Sequence, residues 1–376
     1  MKIAIEAQRI FRPNKHGMDF VALEAIRELQ KNDLENEYFI LVDEGQDHCL
    51  EESNNMKIIE FSARGGYPVW EQVKLPEMLK KIKPDMLHCT SNTAPVQCDI
   101  PLILTLHDII FLEKQTGKNP SIYQNLGRIY RRFVVPRVLT KCNKIITVSQ
   151  FERNRIKEAL KLPDDKIVSV YNGYSSHFSP VVHPDKVYKK YIDSDNYLFF
   201  LGNTDPKKNT ANTLLAYSIY VKQSENPAYL LIADLDSEGV NHFLKEQKIE
   251  WLRDYIIVSG YIPNKDLPAI YSGAKAFLYT SLRESFGIPI LEAMACGTPV
   301  VTSNTSAIPE IAGEGAILVN PFSPEDIAAQ LIRLEKDEVF RNSQISYGLE
   351  RVKLFSWKNT ALSLLNIYNE VRKQKI

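Results

Sequence analysis

Short apolar runs alternate with longer amphipathic stretches along the whole chain. Ile3 to Ala7 predicts a strand, and Val21 to Gln30, with Val21, Ala25, Ile26 and Leu29 on one face, predicts a helix. Tyr38 to Val42, Met86 to Cys89, Leu102 to Leu106 and Lys144 to Val148 read as further strands, with Pro76 to Ile82 a helix among them. The alternation then restarts. Leu198 to Leu201, Tyr229 to Ala233, Ile256 to Ser259, Ala276 to Tyr279 and Pro299 to Thr302 predict strands, Asn209 to Gln223 predicts a helix, and Trp357 to Lys373 a last one. Strands alternating with helices imply parallel sheets covered on both faces, an α/β architecture. Ser175 to Asn196 is polar, contains proline, and reads as a connection between two doubly wound, Rossmann-like domains, residues 1–178 and 196–356. Two such domains are expected to face a central cleft at the carboxyl ends of their strands, where open α/β sheets bind ligands.

Length agrees with two domains, since 376 residues exceed one ordinary core. Lys plus Arg and Asp plus Glu both number 46, a balance that argues against a dedicated nucleic-acid binder. Cys49, Cys89, Cys98, Cys142 and Cys296 are scattered, with no CxxC pair, and read as free thiols of a reducing compartment. The apolar N-terminal stretch is short for a signal peptide and no apolar run is long enough to span a membrane, so a cytoplasmic protein is expected.

Four segments carry chemistry. In Tyr279 to Gly297, a strand ends and a helix opens at Gly287 to Pro289, presenting free N–H groups and a positive dipole end that seat a phosphate. Glu284 precedes that helix. Glu292 lies inside it, flanked by Ile290, Leu291, Ala293, Met294 and Ala295, where a carboxylate needs a partner; carboxylates accept hydrogen bonds from vicinal diols. The second segment puts Lys207 and Lys208 between a strand and a helix, either to neutralise a diphosphate or as a basic turn. The third delivers His107 and Asp108 from an apolar strand. There the histidine either donates to a sugar hydroxyl or phosphate, or is a loop residue bonded to backbone. The fourth is the loop Arg9 to Asp19, where Gly17 permits close backbone approach or is an ordinary loop glycine.

In this order the four segments resemble the family 4 glycosyltransferases, which have the GT-B fold. Glu284 to Glu292 is similar to the family's E-x7-E segment, continued by FGIPILEAMACGTPVV at 286–301 and SNTSAIPEIAG at 303–313; His107-Asp108, Ile146 to Ser149 and Asn172-Gly173 are similar to earlier landmarks. The resemblance implies a retaining transfer of a hexose, mannose by overall pattern, from a nucleotide-diphosphate sugar to a saccharide or lipid-linked acceptor in surface polysaccharide assembly. It implies that Glu292 binds the donor ribose, that Glu284 contacts the transferred sugar with amides around Ser285, Phe286, Gly287 and Ile288, and that Lys208 and Lys207 hold the diphosphate. Gly17, His107 and Asp108 are then expected at the phosphate and sugar, Tyr261 and Ile262 near the nucleobase, and the final helix, within 357–376, back on the first domain. His16, Met18 and Asp19 stand where relatives often have a second glycine, Asn203 where many have arginine, and Asp234 where glycine is usual.

No cofactor or metal is expected. The lysine pair and the helix end take charge from the leaving diphosphate, and Asp234-Leu235-Asp236 reads as a turn in preference to a metal-holding DxD. Residues 126–141 combine Arg128, Arg131, Arg132, Arg137 and Lys141 with Leu126, Ile129, Phe133 and other apolar side chains. That segment is either a packed helix with a solvated face or a peripheral contact with anionic lipid. A nucleotide-sugar epimerase, and a nucleotide-sugar-binding scaffold that has lost catalysis, are the alternative functions.

Overall fold

The computed structural model describes residues 1–113 and 122–374, with the side chains of 122–124 left out; residues 375 and 376 of the C-terminal segment lie outside this description. The chain divides into two units, Met1–Gly173 with Trp357–Ile376, and Tyr174–Ser356.

The first unit holds strands β1 (Lys2–Glu6), β2 (Glu37–Val42), β3 (Met56–Glu60), β4 (Met86–Cys89), β5 (Leu102–Thr105), β6 (Lys144–Thr147) and β7 (Ile167–Ser169). They form one parallel sheet in the order β3-β2-β1-β4-β5-β6-β7. Successive side chains of a strand point to opposite faces, so central β1 feeds two cores. Ile3 and Ile5 pack with Ala22, Ile26 and Leu29 of the helix Gly17–Asn32 and with Leu364, Tyr368 and Val371 of the helix Trp357–Lys373. Ala4 joins Trp70, Leu75, Leu104, Val135 and Val138 on the other face. The C-terminal helix is therefore a component of the first unit's core.

The second unit holds β8 (Tyr197–Leu201), β9 (Tyr229–Ala233), β10 (Ile256–Gly260), β11 (Ala276–Tyr279), β12 (Val300–Ser303) and β13 (Ile317–Val319), all parallel, in the order β10-β9-β8-β11-β12-β13. Strand order reverses between β8 and β11, and the carboxyl edge of an open α/β sheet at such a point is where ligands bind. The corresponding point of the first sheet lies between β1 and β4.

The sequence reading is corrected at several places. Residues 174–196 are part of the second unit, not a free connection: Phe178 meets Tyr271 edge-on at 6.1 Å, Tyr188 lies 5.4 Å from Tyr197, and the Tyr191 hydroxyl donates to Asp266 at 2.7 Å. Isolated aromatic residues among polar ones gave no period to read. Strands β3, β7 and β13 were not anticipated; two are three residues long and all carry partly exposed positions, so their apolar runs are weak. The segment 126–141 lies within the helix Ile122–Lys141, which has a packed face and an exposed one. Val134, Val135, Val138 and Leu139 are buried, while Leu126, Ile129 and Phe133 are 61%, 64% and 57% exposed on the opposite side. Among the described residues no helix is long and apolar enough to cross a membrane.

Candidate functional site

In the second unit, β11 ends at Tyr279 and the chain runs through Thr280 to Gly287 before the helix Ile288–Ala295. Gly287 has φ +105°, a conformation that costs a residue with a Cβ, and a Cβ there would lie 3.1 Å from Ile290. Pro289 sits in the first turn, where its missing N–H is harmless. The Phe286 ring turns inward, buried and edge-on to Phe355 at 6.0 Å, so this residue has only its backbone to offer a ligand.

The turn after β8 is stitched to this loop. Asp205 caps the short helix Pro206–Lys208 by accepting from Lys207 N–H at 3.0 Å, and the Leu282 N–H donates to the Lys207 carbonyl at 2.7 Å. Asn209, at φ 62°, donates its side-chain amide to the carbonyls of Thr280 and Pro321 at 3.0 and 2.7 Å. These bonds bring Lys208 Nζ to 2.6 Å from Glu284 Oε1 and 3.5 Å from the Tyr279 hydroxyl. Lys207 points to Asp205 at 3.2 Å and remains more exposed. Ser306, also left-handed at φ 56°, accepts from the Glu284 N–H at 3.0 Å. Sequence reasoning missed Asn209, Tyr279 and Ser306. The signal for Asn209 was its place directly after the lysine pair, at the mouth of a helix.

Glu292 lies one turn into the helix Ile288–Ala295 and keeps a little surface. Burial among apolar neighbours pushes its carboxyl up to about 7, with the Tyr271 hydroxyl opposing the rise. Tyr271 and Tyr279 are both held far above the usual phenol range, by burial first and then by Glu292 and Glu284 respectively. Beyond β10, Gly260 has φ +67°; Tyr261 is 76% exposed and Ile262 is buried. The segment 234–236 is used structurally. Asp236 caps the helix Ser237–Glu246 by accepting from Gly239 N–H at 2.7 Å, Leu235 is buried, and Asp234 takes φ 61°.

In the first unit, Gly17 opens the helix Gly17–Asn32, and a Cβ built on it would meet no atom within 4 Å. Asp19 returns to cap that helix through the His16 N–H at 2.7 Å and pairs with Arg12. Asp108 accepts from the Ile110 N–H at 3.0 Å. His107 is more enclosed than a residue at a cleft edge: it is 6% exposed, its Nε2 donates to the Thr90 carbonyl at 2.9 Å, and its backbone N–H donates to Asn92 Oδ1 at 2.6 Å. Burial lowers its pKa, while the Thr90 carbonyl, Asp108 and Asp19 act against that.

Comparison with known proteins agrees with this geometry. The family model for glycosyl transferases group 1 matches residues 185–351, and that for glycosyltransferase family 4 matches residues 16–177. O-antigen chain mannosyltransferase B of Escherichia coli is 32% identical over 239 residues, covering 61% of this chain and 61% of that protein. Matches to longer serotype-specific mannosyltransferases of the same organism span only about a third of their length. Among solved structures, sucrose-phosphate synthase from Thermosynechococcus elongatus superposes with a TM-score of 0.76 at 18% identity over 99% of both chains. Anabaena HepE in complex with UDP gives 0.74 at 16% identity, over 98% of this chain and all of that one. With each unit matched by its own family model and the complete fold recurring in these structures, the chain belongs to the family 4 glycosyltransferases of GT-B fold.

Proposed function

We propose that this protein is a retaining hexosyltransferase that moves mannose from a nucleotide-diphosphate sugar to a saccharide or lipid-linked saccharide during surface polysaccharide assembly. The observation that carries the reading is Lys208, held at 2.6 Å from Glu284 beside the opening of the helix Ile288–Ala295, with Glu292 one turn further in. A cation, the positive dipole end of a helix and two carboxylates within one loop and helix suit a pyrophosphate flanked by hydroxyl-bearing rings. The mannosyl group is supported by the O-antigen mannosyltransferase relative, and the nucleoside diphosphate by the UDP bound to HepE.

In this reading Lys208, Lys207 and the amides from Ser285 to Ile288 receive the charge that grows on the diphosphate as the C1–O bond breaks. The acceptor oxygen bonds to C1 on the same face, and its proton passes to the departing phosphate oxygen. Glu284 orients the sugar, Glu292 the ribose, and Tyr261 and Ile262 the base; Gly17, His107 and Asp108 are the first unit's contribution to substrate binding. No metal is required, and the capping role of Asp236 supports that. The test is turnover of a panel of nucleotide-sugars, with and without EDTA. Mannosyl transfer that survives EDTA supports the proposal, and release of an isomerised donor without an acceptor would favour an epimerase.

We also propose that the helix Ile122–Lys141 rests on anionic lipid. Leu126, Ile129 and Phe133 recur at helical spacing on the exposed side, Arg137 stacks on Phe133 at 3.6 Å, and no acidic residue occurs in the helix. Flotation with phosphatidylglycerol vesicles should be lost in Phe133→Ser with Arg137→Glu. Equal flotation of variant and wild type would end this idea.

A further inference from the structure

Thr90, Ser91, Asn92 and Thr93 follow β4 at the point where the first sheet's strand order reverses, and all four are buried. Four polar residues in a row inside a core need partners. Asn92 adopts φ 67°, the left-handed region that residues with a Cβ enter rarely and asparagine most readily. Its N–H donates to the Thr105 carbonyl at 3.1 Å, and its side-chain oxygen accepts the His107 N–H at 2.6 Å. Thr90 is itself anchored. Its N–H donates to Glu6 Oε2 at 3.2 Å and its hydroxyl to the Glu6 carbonyl at 2.8 Å, while its own carbonyl receives the His107 Nε2 proton at 2.9 Å.

A carbonyl can only accept. His107 therefore carries a proton on Nε2, and in the neutral ring Nδ1 is left as a lone-pair acceptor. We propose that Asn92 and Thr90 are positioning residues for His107, fixing its peptide and its tautomer so that it meets the substrate as a hydrogen-bond acceptor for a hydroxyl and not as a proton donor to phosphate. This deepens the functional reading above and rests on His107 being a substrate contact.

Two measurements test it. Long-range proton–nitrogen NMR of the histidine rings, with His107→Gln to assign the signal, should show His107 as the Nε2–H tautomer throughout pH 6 to 8. An Nδ1–H ring or a mixture overturns the proposal. This readout does not depend on turnover, so an inactive protein with the expected ring spectrum would remove the transferase reading and leave the clamp in place. Kinetics supply the second. Asn92→Gly keeps access to positive φ but deletes the acceptor, and should lower kcat roughly 10- to 100-fold with donor KM within about threefold, as misplacement of a catalytic contact does. Asn92→Asp restores an acceptor and should recover most of that loss. A folded Asn92→Gly protein with wild-type kcat, or an Asn92→Asp protein no faster than Asn92→Gly, overturns it.

Discussion

Replacing Glu292 by glutamine separates what this carboxylate costs the fold from what it does for a ligand. Its carboxyl, raised by burial from 4.5 to about 7, is neutral in both folded and unfolded chains below pH 4. As pH climbs, the unfolded chain ionises first and releases its proton, so the folded state loses stability progressively until pH passes 7, where the full difference applies. A rise of this size corresponds to about 3 kcal/mol at pH 8. Glutamine has no charge to desolvate, so the stability of Glu292→Gln relative to wild type should improve by about that amount between pH 4.5 and pH 8, or roughly 6 to 12 °C in thermal midpoint for a unit of this size. Comparing the two pH values cancels any fixed cost of seating the amide. Urea or thermal unfolding of both proteins at both pH values is the assay. In parallel, nucleoside diphosphate affinity should fall about 10- to 100-fold at pH 8, the loss expected when hydrogen bonds to an ionised group are replaced by neutral ones. A stability difference that does not change with pH would refute the reasoning, because it would mean that Glu292 is ionised in the folded protein as easily as in the unfolded one.

Other perturbations follow from the same geometry. Lys208→Met should reduce kcat by about 10²- to 10³-fold. Its partly exposed pair with Glu284 should cost less than about 1 kcal/mol of stability, so steady-state kinetics and thermal melts together distinguish a catalytic cation from a structural one. Gly287→Ala forces a Cβ into φ +105° and should destabilise the second unit by about 1–3 kcal/mol while weakening donor binding, measured by melting and by nucleotide titration. Gly17→Ala has free space around the new methyl group, so its melting temperature should stay at or above the wild type; a fall in donor affinity without a fall in stability would mark Gly17 as a ligand contact.

The repeated β-α pattern was readable because central strands such as β1 and β8 are buried along nearly their whole length and carry apolar runs, Ile3 to Ile5 and Tyr197 to Leu201. In edge strand β3 only Met56 is buried, and its MKIIE run looks no different from a loop with two isoleucines. At the candidate site, Glu284, Glu292 and the lysine pair were legible because charged residues next to an apolar strand or inside an apolar helix are conspicuous. Asn209 and Ser306 were not, because what they contribute is a left-handed backbone and a long-range hydrogen bond, neither of which has a signature in local composition. His107 was found for its position at the end of β5, yet its enclosure depends on Thr90 and Asn92, residues brought to it by a neighbouring strand. The segment 174–196 was misread for a related reason: its aromatic anchors find their partners 9 to 93 positions away.

The route of the chain orders the events of biosynthesis. The nascent polypeptide leaves the first sheet at Gly173 and supplies the Trp357–Lys373 helix only after the whole second unit has been made. Until then Ile3, Ile5 and Ile26 lack the apolar cover of Leu364, Tyr368 and Val371. A chain stopped at Gly173 would therefore leave one face of the first sheet only partly covered and prone to aggregate, whereas residues 174–356 can be excised as one continuous piece.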